Sequence, residues 1–105
     1  ISSYIDSQGD KLHLVNISQV LNGIRGAMSM LEQDYASSLI KQCITCINVE
    51  LYENESLPEP KLLETLADAL TSLEYFIESM NVKGVVNEAL LKLTEESLAS
   101  IGYSS

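Results

Sequence analysis

From residue 10 onward, apolar side chains recur at steps of three and four. Leu14, Ile17, Leu21, Ile24, Met28 and Leu31 trace the seam of a helix that packs almost parallel to its neighbours, which predicts a first helix over about residues 10–32. Asp34 is placed to cap a second helix, whose stripe of Ala36, Ile40, Cys43, Ile47 and Leu51 carries it to about residue 53. The polar stretch ENESLPEP interrupts the pattern. Pro58 and Pro60 suit the approach to a helix or its first turn, where a missing amide hydrogen does no harm. A third helix, about 60–80, repeats the arithmetic with Leu63, Leu66, Leu70, Leu73, Ile77 and Met80. Leu62, Ala69 and Phe76 widen its stripe, while Glu64, Asp68 and Glu78 stay on the wet side. Asn81 to Gly84 reads as a short turn. Val86, Leu90, Leu93 and Ile101, with Ala89, mark a fourth helix that ends before Gly102, a left-handed cap. No period-two alternation competes with these stripes. The expectation is an all-α protein, an antiparallel up-down-up-down four-helix bundle over residues 10–105, preceded by an N-terminal extension, residues 1–9, with little periodicity of its own.

Length and composition agree with this reading. A chain of 105 residues holds one modest core, and 46% hydrophobic with 20% charged residues is the make-up of a folded chain. The formal net charge of -9, with 6 Lys and Arg in all, works against phosphate backbones and anionic lipid heads, so neither nucleic acid nor a membrane is an expected partner. No apolar run approaches the roughly 20 residues that span a bilayer, and no basic-then-apolar signal segment opens the chain. A start at Ile1 rather than Met suggests a piece of a longer protein.

Cys43 and Cys46 form a lone C-x-x-C. A zinc site needs about four ligands, and the single histidine, His13, is far off in sequence; a redox pair would be expected beside a βαβ pattern. Both cysteines fall on an apolar segment, so we read them as small buried hydrophobes in a reducing, cytoplasmic compartment. Metal and cofactor are not expected. With one histidine, no Gly-rich phosphate loop and no Ser/His/Asp set, neither is catalysis.

The first helix carries a glycine pair that costs it helical propensity, in LNGIRGAMSML. Asn22-Gly23-Ile24-Arg25-Gly26-Ala27, followed by Leu31, resembles the motif H-x-[LI]-[KR]-G-[SA] of histidine-containing phosphotransfer domains, with Asn22 where the histidine should stand. The likeness covers about residues 14–50, and the bundle extends it to the whole chain. In that family the histidine takes a phosphoryl group from a receiver domain. The basic residue three positions on sits near the phosphoryl oxygens, and the next glycine lets the receiver's surface approach. The resemblance therefore implies that Asn22, Arg25, Gly26 and Ser29 form a partner-binding face without phosphotransfer chemistry, since an amide is no nucleophile at neutral pH. It implies receiver or other signalling domains as partners and leaves a homodimer open. The third helix, LLETLADALTSLEYFIESM, with IRGAMSML, is also similar to degenerate phosphotransfer-like repeats in the chemotaxis-type histidine kinase that controls type IV pili and twitching motility, and in its stand-alone relative without kinase parts. Three alternatives stay open: a working phosphocarrier using His13, a dimerisation or scaffold module unrelated to phosphotransfer, and a chance Arg-Gly pair in an ordinary helical hairpin. His13 precedes Asn22 by nine positions, half a turn round a helix, and lacks the Lys-Gly pair. Exposed apolar residues on outer helix faces would be the sign of the scaffold module.

Overall fold

The computed structural model describes residues 11–53 and 58–103. The expected extension, residues 1–9, lies outside them. Four helices follow in order: α1, Lys11–Met30; α2, Asp34–Cys46, continued by a π-helical segment over Ile47–Tyr52; α3, Pro60–Lys83; and α4, Glu88–Ser100. No strand occurs among the described residues, so the all-α four-helix expectation holds. No helix is long and apolar enough to cross a membrane among them.

The helices associate as two hairpins. α1 lies along α2 and α3 along α4, and α2 joins the pairs by touching both α4 and α3. Among the described residues, no backbone of α1 comes within 8 Å of α3 or α4. Among the described residues, α1 therefore faces α3 only through side chains, across an open groove. The core is built from the predicted stripes: Leu14, Leu21 and Met28 of α1; Leu63, Leu66, Ala69, Leu73 and Phe76 of α3; and nearly the whole inner face of α2.

Several helix ends depart from the sequence expectation. Gln33 rather than Asp34 is the residue before α2, and no side chain caps that end; Asp34 is helical and places its charge in the first turn, where the helix dipole favours it. Pro60 opens α3 as its first residue. That helix runs on to Lys83, through what the sequence suggests is a turn, and stops at Gly84 with φ 64°. Gly102, with φ 93°, is left-handed as expected.

The first helix stops at Met30, before the expected residue 32, and the last seam residue, Leu31, is exposed. Glu32 follows with φ 60°, the single non-glycine residue of positive φ among those described. The amide of Gln33 donates to the Met28 carbonyl at 2.8 Å and that of Glu32 to Ser29 at 3.1 Å, a helix-ending loop usually built on glycine. A side chain in this conformation is strained by about 1–2 kcal/mol, and glycine returns part of that gain as chain entropy. Glu32→Gly should therefore raise unfolding stability by about 0.5–1 kcal/mol in urea titration. A lowered midpoint would show that Glu32 is not strained.

The buried face of α4 differs most from the sequence reading. Leu91, Thr94 and Leu98 are buried, Leu90 and Ile101 pack partly against the core, and Val86, Ala89 and Leu93 are exposed. The doublet Leu90-Leu91 fits either of two adjacent stripes. Thr94 decides between them because its hydroxyl is satisfied inside: it lies 2.7 Å from the Ser72 hydroxyl of α3, and also reaches the Leu90 carbonyl at 3.0 Å. A buried hydroxyl with such partners is tolerated where an unpartnered one is not.

Candidate functional face of the first helix

Asn22, Arg25, Gly26 and Ser29 are spaced by three and four on one continuous α-helix and so share a flank of α1. Leu21 and Met28 turn toward the core. Asn22 and Ser29 are exposed, while Arg25 and Gly26 are half-buried. The Arg25 side chain reaches back one turn: its Nε and Nη2 donate to Oδ1 of Asn22 at 3.0 and 2.9 Å. The amide that stands where the motif has histidine thus holds the basic residue against the helix. The first turn of α2 abuts the same place, the Ser37 hydroxyl donating to the Arg25 carbonyl at 3.3 Å.

A Cβ built on Gly26 would meet nothing within 4 Å, and neither would one on Gly23. Glycine at each place forgoes about 1 kcal/mol of helix propensity relative to alanine, and no neighbour among the described residues requires its small size. Between α1 and the end of α2 lies a shallow depression of about 270 Å³, lined by Val15, Ser18, Gln19, Asn22, Ile44, Asn48 and Tyr52.

The π-helical segment supplies Asn48 and Tyr52, which the sequence reading did not include. A signal for it exists in the spacing. Cys43, Ile47 and Leu51 are two successive steps of four, which drift the stripe by roughly 80° in a regular α-helix. A wider i to i+5 turn takes up that drift, and Ile47 and Leu51 are both fully buried. At the segment's end the Glu53 amide donates to the Asn48 carbonyl at 3.0 Å. The Tyr103 hydroxyl, beyond α4, donates to Glu50 Oε1 at 3.0 Å and ties the chain's far end to the same segment. Burial, and then this hydrogen bond, push the Tyr103 phenol well above its ordinary value.

The lining side chains are uncharged and hold no basic nitrogen, so the arrangement offers amide and hydroxyl hydrogen bonds rather than a nucleophile. His13 sits half-buried near the start of α1, and the unbroken helix carries it half a turn round from Asn22. Cys43 and Cys46 are unpaired by disulfide and fully buried. Burial raises Cys43 to about 12, with Cys46 adding a little, and burial with the nearby Glu50 raises Cys46 to about 11. Among the described residues no three side chains of metal-ligating type gather.

Residues 1–98 match the model of a family described as the FimL C-terminal domain. Over 78 residues, 74% of this chain, the sequence is 44% identical to a curated protein of Pseudomonas aeruginosa named Scaffold protein FimL. The match covers 14% of that relative's length. No solved structure matches the chain.

Proposed function

We propose, from the premise that this chain belongs to the FimL C-terminal domain family, that it is a non-catalytic interaction domain of a bacterial signalling protein. In this reading it binds or positions partner domains through the flank of α1 that carries Asn22, Arg25, Gly26 and Ser29. The name of the Pseudomonas relative, a scaffold protein, favours a role in holding other proteins together. The observation that carries the reading is Gly26: it lies on an accessible flank beside an arginine, with open space above it and no packing reason for its lack of a side chain. A glycine of this kind is accounted for by a second surface that must come close. The likeness of Asn22 to Ala27 to the phosphotransfer motif supports a receiver-like partner in type IV pilus signalling. The buried free thiols suit a reducing cytoplasm.

Two measurements test this. Incubated with a phosphorylated receiver, the chain should acquire no acid-labile phosphate, because Asn22 offers no basic nitrogen; phosphate on His13 would overturn the non-catalytic reading. Gly26→Leu should leave the fold intact and slightly more stable, and should weaken binding to a partner found by pull-down by about tenfold or more, since bulk would stand where surfaces meet. Unchanged binding would reduce Gly26 to a tolerated helix defect.

A second reading draws on the exposed apolar side chains of Met30, Val82 and Leu93, the expected sign of a dimerising scaffold module. Sedimentation equilibrium distinguishes it, because a dimer formed through those residues would ignore substitutions at Asn22 and Gly26.

A further inference from the structure

Arg25 is the single arginine of the chain, and its donors are unequally used. Nε and Nη2 both donate to Oδ1 of Asn22. A guanidinium is a planar fork of N–H donors, each edge of which matches the two oxygens of a carboxylate. With one edge taken by the amide, the edge from Nη1 to Nη2 is left for a partner. A carboxylate at position 22 would neutralise the arginine, whereas an amide oxygen holds it and leaves its charge in place. The hydrogen bonds also remove rotamer freedom that binding would otherwise have to take away.

Charge on this side of the molecule runs against the total. The chain carries a formal -9, yet α1, KLHLVNISQVLNGIRGAMSM, contains no aspartate or glutamate. Carboxylates gather on the other hairpin, among them Glu74 and Glu78 of α3 and Glu88, Glu95 and Glu96 of α4. Lys41 adds a second cation beside Asn22. It follows Ser37, which reaches the Arg25 carbonyl, by four positions, and precedes Ile44 and Asn48 of the depression by three and seven, so it shares their side of α2, where it is exposed. Asp34, the one carboxylate of α2, lies in the first turn, nearer the α1–α2 loop than Ser37. Glu50, in the π-helical segment, accepts from Tyr103 beyond α4. The depression itself is lined by amides and hydroxyls, Gln19, Asn48 and Ser18 among them, and holds no charge.

Resting on the reading that this flank docks a partner, we propose that the partner is acidic: one of its carboxylates bridges the open edge of Arg25, a second meets Lys41, and Asn22 is the positioning residue that aims the guanidinium. Such a surface is attracted to the α1–α2 side and turned away from the α3–α4 hairpin, where like charges face it, so the layout of charge sets orientation as well as attraction. The bidentate bond needs a flat, aimed group, which lysine does not supply. The amide thereby has a task of its own at the place where the phosphotransfer motif has histidine.

The probe is a blocked peptide of repeating Ala-Glu-Glu-Ala, with glutamine in place of glutamate as the control and phosphoserine in its place as a second anion. Because Arg25 is the single arginine, its Nε–H gives one side-chain resonance in the isotope-labelled 105-residue chain. The glutamate peptide should shift it saturably and the glutamine peptide should not. Backbone amide shifts at Gln19 and Asn48 follow binding in variants without the arginine. Arg25→Gln should weaken the glutamate peptide by about tenfold or more, and Arg25→Lys, which keeps the charge and loses the fork, by about threefold or more. Asn22→Asp, which sets a carboxylate on the guanidinium from within, should also weaken it by about tenfold or more. Lys92→Gln makes the same change of net charge on exposed α4 and should alter binding by less than about twofold. The proposal is overturned if the glutamate peptide leaves the Arg25 resonance in place, if the glutamine peptide binds as well, if the phosphoserine peptide alone binds, or if Arg25→Lys or Asn22→Asp binds as wild type does. It falls by itself, with the docking flank intact, if Gly26→Leu weakens a natural partner and Arg25→Gln does not.

Discussion

Phe76→Ala should lower the free energy of unfolding by about 3–5 kcal/mol, while Leu93→Ala should change it by no more than about 0.5 kcal/mol. Phe76 is the single phenylalanine of the chain and is 0% exposed, in the middle of the α3 face that meets the core. Truncation removes its transfer free energy and leaves a cavity that helices fixed on both sides cannot close. A domain of this size has about 5–15 kcal/mol in total, so the loss would be a large share of it. Leu93 is a larger aliphatic residue than alanine and lies on a helix-period stripe, yet it is 54% exposed. Urea titration of both variants checks the prediction and tests the orientation of α4. Were Leu93→Ala to cost as much as an ordinary buried leucine, α4 would present the face that periodicity alone selects, and the Thr94–Ser72 pair would not hold.

Native Cys43 and Cys46 should react with a thiol reagent at mildly alkaline pH at least about a hundredfold more slowly than in the urea-unfolded chain, because thiolate is the reacting form. Raising a thiol from 9.0 to about 12 removes about a thousandfold of its thiolate, and raising one to about 11 about a hundredfold, before steric exclusion is added. The same shifts make stability fall with alkali. The folded state holds both thiols protonated while the unfolded state ionises them near 9, so this contribution is fully present below pH 9. It is lost as pH rises through the range from 9 to about 11 and 12. Tyr35, whose phenol burial and Glu95 raise, acts in the same direction. The urea midpoint should accordingly fall between pH 8 and pH 10.5. Fast labelling of both cysteines in the native state would mean that α2 does not face the core as described.

The motif on α1 could be read in the chain because it is local. Asn22, Arg25, Gly26 and Ser29 share a flank by helical geometry alone, and the structure keeps them there. The hydrogen bonds from Arg25 to Asn22 are equally local, one turn apart, but the side-chain rotamers that make them have no signature in the pattern. Asn48 and Tyr52 join this face only because a π-helical segment at the end of α2 brings them beside α1. The steps of four from Cys43 to Leu51 point to the wider turn, but which helix Asn48 and Tyr52 then meet is set by the packing of α2 against α1.

Helix number and most of the inner faces of α1, α2 and α3 were determined by the sequence itself, since steps of three and four place apolar side chains on one side whatever surrounds them. So were the left-handed end at Gly102 and the start of α3 at Pro60, which depend on the φ preferences of single residues. Tertiary structure decided what the pattern left degenerate. Which of two adjacent stripes of α4 turns inward depended on whether the Thr94 hydroxyl could find Ser72 across the helix pair. Whether α1 was covered on both flanks depended on how the two hairpins meet through α2, which leaves Val20 and the groove beside α3 open. The reason is the same in both cases: periodicity states which side chains avoid water together, whereas the partner of each face is set by the summed packing and hydrogen bonding of elements distant in the chain.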